Sequence, residues 1–123
     1  MKKRIIASFY RYMERKGAEN IRMMNDPDKL SGEPQVPAHL EDINPDLSAK
    51  INGIDYVYKY VEGNKEDQKS ILKACLAYKQ LNKKHPFKFR LLVPIDHSDT
   101  VIQTLNQNHL EGVGIIRVAA GNT

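Results

Sequence analysis

The pair Asn52-Gly53, set between "DLSAKI" and "IDYVYKYV", constrains this chain more than any other feature. A two-residue turn that matches the natural twist of two strands needs positive φ at both central positions. Gly takes that conformation without a steric penalty, and Asn takes it more readily than most side chains. The sequence therefore predicts a hairpin of residues 46 to 51 against 54 to 61. A two-residue turn also fixes the register. Ile51 faces Ile54, each step outward pairs the next residues, and Asp46 is expected opposite Lys59.

The remaining elements follow from periodicity and punctuation. Ile5, Ile6, Phe9, Tyr12 and Met13 recur at helical spacing before Gly17, predicting a helix over 4 to 16. "AENIRMM" reads as a short strand, and "NDPDKLSGEPQVPAHL" as an irregular loop at about 25 to 40. "NKED" resembles a capping box, with Asn64 accepting from a new helix and Asp67 reaching back. That helix extends to about Lys84, with an apolar stripe of Ile71, Ala74, Cys75, Tyr78 and Leu81 and with Pro86 beyond its end. "FKFRLLVPI" has the continuous apolar run of a buried strand. Ser98 is placed to cap a helix carrying Val101, Ile102 and Leu105, and "IIRVA" supplies a last strand. Helices interleaved with strands around a hairpin predict one α/β domain over 1 to 123, with a central mixed sheet flanked by helices.

Composition narrows the class without naming a function. A chain of 123 residues can bury a core without disulfides, and its single cysteine, Cys75, permits neither an internal disulfide nor a cysteine-based zinc site. Hydrophobic content of 41% and charged content of 28% suit a soluble globular domain. Arg11 interrupts the apolar start too early for a signal peptide or membrane span, so a cytoplasmic location and no membrane partner are expected. The formal charge of +4 allows attraction to a polyanion.

Pro45-Asp46 at the start of the hairpin, the Asn52-Gly53 turn, the strand "YVYKYVE", the helix after it and then "FKFRLLVP" together resemble the PD-(D/E)xK nuclease superfamily, which includes archaeal Holliday-junction resolvases and many restriction enzymes. The resemblance spans most of the chain and implies a restriction-endonuclease-like three-layer fold. It also implies that Asp46 and a second carboxylate would hold Mg²⁺ or Mn²⁺, with a lysine beside an attacking water.

On the expected register, Lys59 and Val61 occupy the places that the resemblance assigns to the second carboxylate and the lysine. An ammonium ~4 Å from a divalent cation, at an effective dielectric of about 20, is repelled by roughly 8 kcal/mol. The expectation is therefore an ion pair between Lys59 and Asp46, a degenerate active site and no resident cofactor. The preferred reading is a nuclease-like domain, catalytically impaired, that binds nucleic acid, with DNA the first candidate, or a protein partner. An active Mg²⁺-dependent endonuclease would use a displaced site in which Asp46 and Glu62 bind the metal and Lys59 assists. Glu41, Asp42 and Glu14 are further carboxylates for such a site. A third reading is a homodimeric or larger scaffold without affinity for nucleic acid.

Lys69 and Lys73, one turn apart, and Arg11 and Arg15 on the first helix are the candidate phosphate contacts. Gln68 stands between the helix start and these lysines. Tyr56, Tyr58 and Tyr60 alternate along one strand and are expected in the core or at a subunit interface. His39, His85, His97 and His109 show no metal-ligand spacing, and nothing marks Cys75 as reactive.

Overall fold

The computed structural model describes residues 2–24, 36–110 and 112–119. The chain forms α1 (Lys2–Arg15), β1 (Glu19–Met23), a 3-10 turn (Ala38–Leu40), β2 (Leu47–Ile51) and β3 (Ile54–Tyr60). It continues through α2 (Lys65–Asn82), β4 (Lys88–Pro94), a second 3-10 turn (Ile95–His97), α3 (Ser98–Gln107) and β5 (Gly114–Val118). The five strands make one sheet in sequential order. β1 and β3 both run antiparallel to β2, whereas β3, β4 and β5 run parallel. The expected mixed sheet is therefore present, and β2 is the strand that runs against its companions. Most of the irregular loop expected at 25 to 40 lies outside the described residues; its last part holds the first 3-10 turn.

The hairpin turn has the conformation its dipeptide demands, with φ of 51° at Asn52 and 79° at Gly53. Pairing proceeds from Ile51–Ile54 to Leu47–Tyr58 in the register that the turn fixes.

Two apolar cores lie on opposite faces of the sheet. On one, α1 presents Ile5, Ile6, Phe9 and Met13 to Leu47, Ala49, Tyr58, Tyr60 and Leu92. On the other, Ile71, Ala74 and Cys75 of α2 and Val101 and Leu105 of α3 pack with Val57, Val61, Phe89, Leu91 and Val93. Strand alternation separates the two sets, giving three layers with α1 on one side and α2 and α3 on the other. Tyr58 and Tyr60 are buried beneath α1 as core residues, and Tyr56 is half-buried beside them.

Two local expectations are corrected. Asp46 precedes β2 instead of opening it, for a reason that lies in its hydrogen bonds. Ser98 is the first residue of α3, whose cap position is His97. The Ser98 hydroxyl donates to Ile95 O at 2.9 Å, because the 3-10 turn begun after Pro94 runs straight into the helix and supplies that carbonyl.

Candidate functional site

Asp46 is 1% exposed, and the chain secures it through three kinds of bond. Its N–H donates to Tyr58 O at 2.8 Å, and its carbonyl accepts from Met24 N at 2.8 Å. Its Oδ2 accepts from Tyr60 N at 2.8 Å. Leu47 is already the strand partner of Tyr58, so two residues of one strand address a single residue of the other. That is the arrangement of a β-bulge, which bends the strand and re-aims the side chain. Asn44, at φ 52°, and buried Pro45 precede it. The register derived from the turn thus ends at Leu47, and the direct opposition of Asp46 and Lys59 is not formed.

The cation on Asp46 is Lys2, from the start of α1, with Nζ 3.1 Å from Oδ1. Oδ1 accepts no hydrogen bond of good geometry from this or any other described group, so the contact is one of charge. The first turn of α1 carries no acidic residue, although the helix begins with Lys2, Lys3 and Arg4. A carboxylate near that positive end offsets an otherwise unfavourable arrangement of charge and helix dipole.

Lys59 is 6% exposed and donates from Nζ to Asn44 O at 3.1 Å. The expected Lys59–Asp46 ion pair is therefore replaced by a bond to a backbone carbonyl, which the bend at Asn44 turns towards the ammonium. Burial pushes Lys59 below its ordinary value; Asp46 opposes that shift, Lys2 adds to it, and Asp67 opposes it. Four ionisable side chains consequently share one electrostatic neighbourhood, with two cations and two anions.

The end of β3 is joined to the start of α2 through Asp67. Its Oδ2 accepts from Glu62 N at 2.6 Å and from Gly63 N at 3.1 Å, while Asn64 Oδ1 accepts from Asp67 N at 2.8 Å. The expected cap is present, and its reach-back arm extends past Asn64 to the two residues before it. Glu62 accepts from the Tyr60 hydroxyl at 3.3 Å through Oε1. Burial raises the Tyr60 phenol to about 12, with the charge of Glu62 adding to the effect.

A divalent cation does not fit this donor set. One oxygen of Asp46 is committed to Tyr60 N–H, the other faces an ammonium, and a second ammonium lies on Asn44. No group of three or more His, Cys, Asp or Glu side chains suited to a metal occurs among the described residues. Of the further carboxylates, Asp42 lies 3.7 Å from Lys73 across an exposed ion pair. Glu41 and Glu14 are exposed, as are Lys69, Arg11 and Arg15; Gln68 is half-buried. Cys75 is buried, and burial lifts its thiol to about 11, away from the reactive range.

Lys2, the Asn44 carbonyl and the double acceptor role of Asp67 are the parts of the site that sequence reasoning missed. A first helical turn with three cations and no acid was the available signal for Lys2, since such a turn favours a carboxylate from elsewhere. Comparisons with protein-family models, curated proteins and solved structures find no match to this chain.

Proposed function

We propose that this chain is a restriction-endonuclease-like domain of PD-(D/E)xK type whose cation position is taken by its own ammonium groups, and that it binds nucleic acid without cutting it. The mixed sheet between helical layers and the hairpin led by Pro45-Asp46 support the resemblance. The observation that carries the functional reading is Lys2 Nζ at 3.1 Å from Asp46 Oδ1. A metal entering there would displace one ammonium and remain close to the buried Lys59. Binding is assigned to exposed cations, with Arg11 and Arg15 on α1 and Lys69 and Lys73 on α2 as the candidates.

The test is incubation of the protein with branched, single-stranded and duplex DNA in Mg²⁺ and in Mn²⁺, alongside binding measured over a salt series. The expected outcome is intact DNA and affinity that falls steeply as salt rises. Cleavage that disappears in Asp46→Ala would overturn the non-catalytic assignment. An absence of binding at low salt would overturn the nucleic-acid assignment.

A further inference from the structure

The face of the sheet under α1 is not covered evenly. The helix packs over β2, β3 and β4 through Leu47, Ala49, Tyr58, Tyr60 and Leu92, and a groove of about 610 Å³ opens between it and β5. Phe9, Tyr12 and Tyr58 line one side, and Ile116 and Val118 of β5 line the other. Lys16 and Arg117 also border it, and no carboxylate does among the described residues.

The aromatic rings of this face form a continuous series with a cation at each end. Tyr12 stacks on Phe9 with centroids 5.8 Å apart, Phe9 meets Tyr58 edge-on at 5.0 Å, and Tyr58 stacks with Tyr56 at 6.1 Å. The Lys16 ammonium lies 5.6 Å from the Tyr12 centroid, and the Arg90 guanidinium 5.9 Å from that of Tyr56. Tyr12 is 47% exposed, and a base reaches its ring where the flexible Lys16 side chain, now over it, swings aside to a phosphate. Arg11 and Arg15, both exposed, lie one turn apart on α1 at the solvent side of Tyr12, outside the groove lining itself.

Charge distribution selects the occupant. Residues 2 to 16 hold six Lys or Arg and one Glu, a balance of +5, whereas the whole chain carries +4, so the rest of the molecule sums to −1. Residues 65 to 84, on the other face, hold six Lys with Glu66 and Asp67, a balance of +4, so the chain has two basic helices; α1 is the one beside an aromatic groove that Lys16 and Arg117 border with no carboxylate among the described residues. A second copy docked symmetrically on α1 would oppose two such helices. A membrane surface would need the apolar stripe of α1, and that stripe is already buried in the core. A polyanion with flat apolar rings matches both the field and the aromatic surface. Stacking on Tyr12 also requires a base whose face is not covered in a duplex.

We propose that the groove between α1 and β5 binds single-stranded nucleic acid, with a base stacked on Tyr12 and neighbouring phosphates against Arg11, Arg15 and Lys16. The proposal rests on the nucleic-acid reading above and narrows it to one strand and one face.

Fluorescence anisotropy with a labelled 15-nucleotide oligo(dT) and a duplex of equal length tests it. Single strand is expected to bind about ten-fold more tightly than duplex, and Tyr12→Leu to weaken single-strand binding by about ten-fold, since stacking is lost while apolar bulk remains. Tyr12→Phe should retain affinity within about two-fold, because the ring face is kept. Thermal unfolding of each variant confirms that the fold is intact. Duplex bound as tightly as single strand, or Tyr12→Leu without effect, would overturn the groove proposal while leaving nucleic-acid binding in place. Failure to bind either oligonucleotide at low salt would overturn both. Self-association abolished by Tyr12→Leu would replace the strand with a second copy of the chain.

Discussion

Lys59 shows how a single residue can sit in a core position without being a hydrophobic one. Val57 and Val61, two residues to either side of it, belong to the core under α2 and α3, and one carbonyl, Asn44 O, accepts from its ammonium. Burial lowers its pKa from the ordinary 10.5, so between the lowered value and 10.5 the unfolded chain binds more protons than the folded one. Stability contributed by this group therefore rises with pH across that interval and is constant below it, where the lysine is charged in both states. Tyr58 and Tyr60 act in the opposite sense. Burial raises both phenols to about 12, so they reduce stability as pH climbs above their ordinary value of 10.0. Comparing the protein with Lys59→Met in urea denaturation from neutral pH upward cancels the tyrosines. The expected difference curve is flat at first, then moves in favour of Lys59 and levels off near 10.5; a curve flat throughout would sink this account of Lys59. At this scale the turn dipeptide made the pairing from Ile51–Ile54 to Leu47–Tyr58 legible, but the opposition of Asp46 and Lys59 extrapolated from it stops at the bulge. The sequence did not show that Lys2 would hold Asp46, since 44 positions separate the two and only packing of α1 brings them together.

Between elements, the connection from β3 to α2 depends on Asp67, which accepts from two successive N–H groups of the incoming chain and occupies the first turn of the helix. Gly63 has φ of 87°, a conformation that costs other residues about 1–2 kcal/mol. Asp67 secures that bend from the helix side. Asp67→Ala is expected to destabilise the fold by about 1–2 kcal/mol, as loss of a capping carboxylate does, with Asp67→Asn recovering part of it through its remaining oxygen. Urea midpoints of the two variants measure the difference, and an alanine variant equal in stability to the parent would refute the linking role. Elements of this kind were legible because their signals are short: a turn dipeptide, a cap four residues long, an apolar stripe. The bulge at Asp46 was not, because it needs the carbonyl of Tyr58 on β3 and the N–H of Met24 just after β1, groups that only tertiary pairing brings to it. The start of α3 was misread for a similar reason, since the Ser98 hydroxyl had a nearby carbonyl to satisfy and was not left to cap.

Over the whole molecule, the small net charge conceals two basic helices, +5 over residues 2 to 16 and +4 over residues 65 to 84, and the aromatic groove beside the first selects the face a single strand meets. α1, with +5 over residues 2 to 16, lies on one side of the sheet, and α2, with Lys69 and Lys73, lies on the other. Lys73 already faces Asp42 at 3.7 Å, whereas Arg11 and Arg15 project from the strongly positive helix. Counterion release makes the distinction measurable, because each phosphate contact on a single strand contributes about 0.7 to the slope of log K against log salt. Arg11→Gln with Arg15→Gln is therefore expected to reduce that slope by about 1.4 for oligo(dT), with weaker binding at every salt concentration. For a strand confined to the groove, Lys69→Gln with Lys73→Gln should leave the slope close to that of the parent, which removes these two from the candidate contacts. Reversal of the two results would transfer the contact surface to α2 and remove the electrostatic basis for the groove. Equal reductions from both pairs would mean that the strand contacts both basic helices and is not confined to the groove.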